Sequence, residues 1–167
     1  GGRGGGGEGR GWVGGGGGGG GEGAGEGEGG GGVGVTGEFV EGGGEVLKQM
    51  DEAGYTIALV ADGEEESFQN VYRENGLKGC FDAWVVSETV GQQKPAQIMF
   101  QTAMDQLGLT DADKPRIVMI GNNLKKDVAG ANRFGLTSLE LDWARRIVPA
   151  SDEAGWNSDY PVNHSHA

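Results

Sequence analysis

The sequence predicts an α/β protein with a doubly wound parallel sheet. Short apolar runs rich in β-forming residues alternate with amphipathic helical segments at least four times between positions 44 and 141. Polar stretches containing "ADG", "SETVGQQK" and "GNNLKKD" follow three of the apolar runs. Because alternation of this kind calls for right-handed crossovers, we expect the strands to be parallel and the sheet to be covered on both faces.

The first elements are two helices with a strand between them. "GEVLKQMDEAG" has apolar residues at helical spacing and ends in Gly54, a residue suited to the position after a helix. "YTIALVADG" is typical of a buried strand that enters a loop, and "EESFQNVYRENG" is helical again. The residues expected on the buried faces are Val46, Leu47 and Met50 in the first helix and Phe68, Val71 and Tyr72 in the second.

The later elements continue the same alternation. A short strand is predicted around Ala83 to Val86, and "KPAQIMFQTAMDQLG" predicts a helix with Pro95 in its first turn. "RIVMI" predicts a strand, "LKKDVAGANRFG" a helix and "TSLEL" another strand, and Tyr160 to Val162 could form a last short one. The buried stripe expected on the Pro95 helix consists of Ile98, Phe100, Ala103, Met104 and Leu107.

The first 44 residues are a different kind of sequence, because they hold 28 of the 38 glycines. Taken literally, such a segment is a flexible Gly/Glu linker that cannot bury enough apolar area to offset its ordering entropy. We favour the interpretation that many of these glycines stand for residues of unknown identity. On that interpretation, we expect residues 1 to 32 to be helical, as part of a partial helical cap at the N-terminus.

Composition and charge exclude several classes of function. The formal net charge of -12 argues against a basic face for nucleic acid, and no apolar run is long enough to cross a bilayer. Cys80 has no partner in the chain, which fits a reducing cytoplasm. The beginning of the sequence does not resemble a secretory signal. We therefore expect a cytoplasmic protein without nucleic-acid or membrane partners, of unknown oligomeric state.

Three polar loops should meet where the predicted parallel strands end, because ligands of such sheets gather at the carboxyl ends of the strands. Lys94 lies just before Pro95, at the entrance of a helix whose free N–H groups favour anions. Asp127 lies six residues after Gly121, close enough to reach the same crevice. A lysine, a carboxylate and helix N-termini would suit a phosphate held beside a divalent cation. Each residue alone would more often be a solvated loop charge, but their order and spacing favour a shared site.

Residues 42 to 141 resemble the core of a hydrolase of the haloacid dehalogenase superfamily, in its phosphatase-like branch. "LVADG" resembles the second motif of that family, "VGQQKP" the third and "IGNNLKKDVAGANRFG" the fourth. The resemblance implies a Rossmann-type core over residues 42–163. Residues 1–41 would then be incompletely identified parts of a cap or of the first core elements, and 164–167 a tail. We do not expect the two histidines of that tail to bind a metal.

The same resemblance implies a Mg²⁺-dependent phosphatase that acts on a small phosphorylated metabolite through an aspartyl-phosphate. Lys94 would be the catalytic lysine, Ala61, Asp62 and Gly63 would bind phosphate, and Asn122 and Asp127 would hold the metal. The sequence departs from the family at three points: Ala61 lacks the usual hydroxyl, Asn122 replaces a carboxylate, and no aspartate precedes Asp51. The nucleophile of the first motif is therefore unknown, lying among the glycines, upstream of the sequence, or absent.

Two other functions remain open at this point. A catalytically degenerate member would keep the fold as a binding or scaffolding module. A haloacid dehalogenase needs no metal and has an asparagine in its fourth motif, but that asparagine lies three residues before the aspartate. Here the separations from Asp127 are five residues for Asn122 and four for Asn123, so the phosphatase spacing fits better. The substrate itself cannot be read from the sequence.

Overall fold

The structure is a computed structural model that describes residues 42–141 in full and the backbone of residues 10–15 and 160–162. It contains a parallel sheet of six strands in the order β3-β2-β1-β4-β5-β6. The strands are β1 (Arg10–Gly15), β2 (Thr56–Ala61), β3 (Ala83–Val86), β4 (Ile117–Gly121), β5 (Thr137–Leu141) and β6 (Tyr160–Val162). The predicted α/β class and the parallel sheet are therefore confirmed.

Five α-helices connect the described strands, with shorter helical turns between them. They are α1 (Gly43–Glu52), α2 (Glu65–Glu74), α3 (Ser87–Val90), α4 (Gln97–Leu107) and α5 (Ala129–Phe134). Two 3₁₀ turns cover Lys78–Cys80 and Asp111–Arg116, and a π-helical turn, Leu124–Val128, precedes α5. The helix predicted after β4 thus begins as a wider turn. In the part of the chain that the structure describes, no helix is long and apolar enough to span a membrane.

Side chains alternate across the sheet and build a core on each face. On one face, Ala58 and Val60 of β2 belong to a cluster that includes Phe100 and Met104 of α4. On the other, Ile57 and Leu59 join Leu47 of α1 and residues of α2. Because successive strand residues point to opposite faces, one strand supplies both clusters. Helices thus cover both faces, as a doubly wound sheet requires.

The structure corrects three details of the predicted helices. Val46 is 53% exposed and Ile98 is 44% exposed, so neither lies on the buried face of its helix. Met99 takes the buried position in α4, because it and Ala103 are spaced four residues apart on the face that meets the sheet. Pro95 precedes α4 rather than lying in its first turn, since the helix begins at Gln97.

The glycine-rich tract contributes a strand to the middle of the sheet. β1 pairs with β2 on one side and β4 on the other, with Gly15 opposite Ala61 and Val13 opposite Ile120. The helical geometry predicted for residues 1 to 32 is therefore wrong for Arg10–Gly15, because pairing with two neighbouring strands fixes an extended backbone there. The rest of that tract lies outside the described residues.

Candidate active site

A buried ion pair lies where the loops after β3 and β4 come together. Lys94 Nζ is 2.6 Å from Asp127 Oδ1, and both side chains are 1% exposed. Removing both charged groups from water costs free energy. Their mutual attraction offsets this cost because the two groups are in close contact. Lys94 and Asp127 therefore share one crevice, as the sequence predicts, and they are in direct contact there.

Asp127 is held on its other side by the backbone of the loop after β4. Its Oδ2 accepts hydrogen bonds of 3.1 Å from the backbone N–H groups of both Asn122 and Asn123. The carboxylate folds so tightly over Gly121 that a Cβ there would lie 2.5 Å from Asp127 Cβ and Cγ. Glycine at 121 is thus required for this approach, and the loop orients one oxygen of Asp127 toward Lys94.

The backbone of Lys94 is fixed by a second carboxylate. Asp62, the residue after β2, accepts a 2.9 Å hydrogen bond from the Lys94 backbone N–H through Oδ1. The following bond, Lys94–Pro95, is cis. Asp62 is only 5% exposed, so this hydrogen bond lies in the interior of the site. The loop after β2 therefore positions the backbone that carries the catalytic candidate.

A second lysine, Lys126, reaches the same place from the π-helical turn. Its Nζ lies 3.1 Å from Asp62 Oδ2 and 3.2 Å from Gln93 Oε1. The distance to Asp62 Oδ2 makes this contact an ion pair, but its geometry is not that of a hydrogen bond. No described residue donates a hydrogen bond to Asp62 Oδ2. Lys126 is 36% exposed, against 1% for Lys94, so it lies at the rim of the site. Two ammonium groups thus face two carboxylates.

The stretch Ala61, Asp62 and Gly63 lies at the carboxyl end of β2, where the sequence predicts phosphate binding. The Gly63 N–H donates to Ser87 Oγ over 2.8 Å, so it is already occupied by the first residue of α3. Ala61 is fully buried as the last residue of β2. Of the three predicted phosphate-binding residues, Asp62 contacts Lys94, and the Gly63 N–H already has an internal partner.

The end of β1 lies between the predicted second and fourth motifs. Because Gly15 pairs with Ala61 and Val13 with Ile120, the chain leaves β1 between Asp62 and the loop that begins at Gly121. The family resemblance described above implies an aspartate nucleophile at the end of the first strand. On that resemblance, β1 takes the place of the first strand, and its carboxyl end is written as Gly14 and Gly15.

The described residues do not by themselves fit a Mg²⁺ ion. Both oxygens of Asp127 already face the Lys94 ammonium or backbone N–H groups. Within the described part of the chain, no group of three or more His, Cys, Asp or Glu side chains could hold a metal ion. Since Mg²⁺ requires several oxygen ligands in octahedral geometry, Asn122 and Asp127 would need further carboxylates to complete a site.

Cys80 is not a candidate nucleophile at this site. It lies in the 3₁₀ turn that precedes the amino end of β3, whereas Lys94 follows the carboxyl end of that strand. Burial, followed by the negative charge of Asp51, raises the pKa of the Cys80 thiol above its usual value. Because the thiolate is the reactive form, a raised pKa leaves Cys80 unreactive near neutral pH.

A family model for haloacid dehalogenase-like hydrolases matches residues 36–140, which is more than half of the chain. The chain belongs to this family. The chain is 33% identical over 98 residues to a ribulose-1,5-bisphosphate 5-phosphatase of Halopiger xanaduensis, covering 59% of this chain and 40% of that one. It is 24% identical over 116 residues to a haloacetate dehalogenase H-2 of a Moraxella species, covering 70% of this chain and 49% of the relative.

Solved structures confirm the fold of this hydrolase. A putative hydrolase of the same superfamily from Bacillus subtilis, YfnB, bound to magnesium, matches with a TM-score of 0.62 at 19% identity, covering 74% of this chain and 51% of that one. The relatives include both phosphatases and dehalogenases. The chain spans at most about half the length of these curated relatives. Because the relatives include proteins of both kinds, membership of the family does not specify the reaction.

The structure joins three of the residues that the sequence singled out, since Lys94 contacts both Asp62 and Asp127. Ala61 is the last residue of β2, and Asn122 follows the last residue of β4. Sequence reasoning missed Lys126 and Gln93. A weak signal was available, since each is next to a predicted site residue, but chain proximity does not show which way a side chain points.

Proposed function

We propose that this hydrolase cleaves phosphate monoesters of small metabolites. The observation that carries the proposal is the buried ammonium of Lys94, which Asp127 holds where the loops after β2, β3 and β4 meet. A fixed positive charge in a site shielded from water stabilises the negative charge of a reacting phosphoryl group more strongly than an exposed lysine would. The relation to a ribulose-1,5-bisphosphate 5-phosphatase supports the same substrate class.

The proposed reaction requires a carboxylate at the end of β1, in the motif that the family resemblance implies. Its oxygen would form a bond to phosphorus while the ester P–O bond breaks, and a second carboxyl would protonate the leaving alcohol. Water would then attack phosphorus, releasing phosphate and regenerating the carboxylate. Lys94 would hold the negative oxygens in both steps. The backbone N–H groups of Ala61 and Asp62 would contact the phosphate, with Gly63 shaping the same turn.

Mg²⁺ belongs to this proposal with Asn122 and Asp127 as candidate contacts, together with carboxylates from the segment after β1. The metal would help to neutralise the phosphoryl oxygens. A neutral amide contributes less than a carboxylate to holding a hard cation, so we expect weak binding, on the order of millimolar. The cytoplasm remains the proposed location.

Asn122→Asp is expected to tighten Mg²⁺ binding by roughly tenfold, since it adds a hard anionic ligand at the carboxyl end of β4. Isothermal titration calorimetry with Mg²⁺ alone measures this without reference to turnover. Asn123→Asp is the matched control, because it adds the same charge one residue further along the loop. If both variants bind Mg²⁺ equally more tightly, the added negative charge alone explains the effect, and a metal contact at position 122 is contradicted.

A dehalogenase is the second candidate, favoured by the likeness to the haloacetate dehalogenase H-2. The two reactions are separated by assaying the full chain with p-nitrophenyl phosphate and with 2-chloropropionate in parallel. Phosphate release that saturates with substrate is the expected result. Release of chloride without release of phosphate would show that the protein is a dehalogenase and not a phosphatase.

A catalytically degenerate protein is the remaining alternative. It applies if the residues written as glycine after β1 include no carboxylate. Intact-mass measurement of the protein compares its mass with that of the written sequence. We expect a larger mass, because an active site needs carboxylates in place of some of these glycines. A mass equal to that of the written sequence, together with no release of phosphate or chloride, would establish the binding or scaffolding alternative.

A further inference from the structure

Lys126 contacts the two groups that hold the backbone of Lys94. Its ammonium lies 3.1 Å from Asp62 Oδ2, and Asp62 Oδ1 accepts the Lys94 backbone N–H over 2.9 Å. The same ammonium donates over 3.2 Å to Gln93, the residue immediately before Lys94. One side chain from the loop after β4 therefore reaches both the loop after β2 and the loop that carries Lys94.

The Lys126 backbone is itself fixed next to Asp127. Its N–H donates over 2.9 Å to Asn123 Oδ1, which is the side-chain cap of the π-helical turn. Asp127, the next residue, holds the Lys94 ammonium. Adjacent residues of one turn thus fix both ends of Lys94, one through its ammonium and the other through its backbone.

We propose that Lys126 is a positioning residue that locks the Lys94 loop onto Asp62. Lys94 Nζ must keep a narrow geometry to act on a reacting group, and loops linked only by their own backbone are mobile. Asp62 is buried, so its charge favours a cation at Oδ2, and Lys126 is the cation within reach. Without the Lys126 ammonium, the Asp62 carboxylate is drawn toward water, and the hydrogen bond that it accepts from the Lys94 backbone N–H weakens.

The effect of Lys126 on turnover rests on the proposed function, whereas its effect on the contact between Lys94 and Asp62 does not. Hydrogen exchange of the Lys94 backbone amide reports the Asp62 bond directly in the full-length protein. Lys126→Met should accelerate that exchange roughly tenfold, because local opening becomes easier. Lys125→Met removes the same charge from the exposed neighbouring residue and should leave the exchange rate unchanged. Lys126→Arg should restore most of the protection.

The kinetic readout separates positioning from general stabilisation. In Lys126→Met, kcat for p-nitrophenyl phosphate should fall roughly tenfold while KM changes less than about twofold, since the lost precision affects the reacting group rather than substrate capture. A raised KM at constant kcat would overturn the inference in favour of direct substrate binding. If exchange accelerates but no variant or parent protein has turnover, the positioning contact stands and the proposed function fails.

A second variant covers the case in which Lys126→Met does not fold. Asp62→Asn keeps an oxygen that can accept the Lys94 N–H but removes the charge that attracts Lys126. It should accelerate exchange of the Lys94 amide by a similar factor, and adding Lys126→Met to it should produce little further change, since the two residues act through one contact. Unchanged exchange in Asp62→Asn, or additive effects in the double variant, would overturn the proposal.

Discussion

Replacing Lys94 by methionine is expected to lower the free energy of unfolding by about 3–5 kcal/mol, because it leaves the Asp127 carboxylate buried without its cation. Both side chains are 1% exposed, so water cannot take the place of the ammonium. The two backbone N–H donors to Asp127 remain, which favours the lower end of the range. Equilibrium urea unfolding measures the change.

The same variant is expected to lose at least about 100-fold in turnover of p-nitrophenyl phosphate, because the lost ammonium acts on charge at the reacting centre. Because Lys94 also belongs to a buried ion pair, activity and stability should fall together in this variant. The activity assay must therefore be run where urea unfolding shows the variant to be folded.

A double variant distinguishes the ion pair from a general packing defect. Lys94→Met combined with Asp127→Asn removes both charges, so it should recover about 1–3 kcal/mol relative to the sum of the two single variants. Lys125→Met serves as the exposed control and should change stability by less than about 0.5 kcal/mol. Strict additivity would show that the two charges do not stabilise each other, and full turnover in folded Lys94→Met would remove Lys94 from the mechanism.

Gly121→Ala is expected to destabilise the protein by about 1–3 kcal/mol or more, because the added methyl group overpacks a closed turn. A Cβ at 121 would lie 2.5 Å from Asp127 Cβ and Cγ, so the aspartate must move. Moving it breaks the two hydrogen bonds from the Asn122 and Asn123 backbones and pulls Oδ1 away from Lys94. Thermal unfolding and the phosphatase assay should both show the loss.

Gly79→Ala is the matched control for this substitution. A Cβ at position 79 would meet no atom within 4 Å, and the Gly79 backbone does not have a positive φ. Stability should therefore rise slightly or stay the same, since alanine reduces the conformational entropy of the unfolded chain. Equal effects at the two glycines would contradict the close approach of Asp127 to Gly121.

The order of strands and helices could be predicted because it depends on local patterns. The apolar run before Asp62 and the run before Gly121 are continuous, as expected for strands covered on both faces. Helical spacing placed Phe100 and Met104 in the core. The same spacing was wrong for Val46 and Ile98, which lie at the margins of their helices' apolar faces, where neighbouring elements decide exposure.

The sequence alone determined that Lys94 and Asp127 would end at one edge of the sheet, because parallel strands bring their following loops together. It could not determine which atoms meet, since Lys94 lies 32 residues from Asp62 and 33 from Asp127. Only the tertiary structure joined Lys126 to Asp62. The placement of β1 was also decided there. Half of the residues of this strand are glycine, which leaves too short a side-chain pattern to predict a strand, and its pairing between β2 and β4 assigns it to the centre of the sheet.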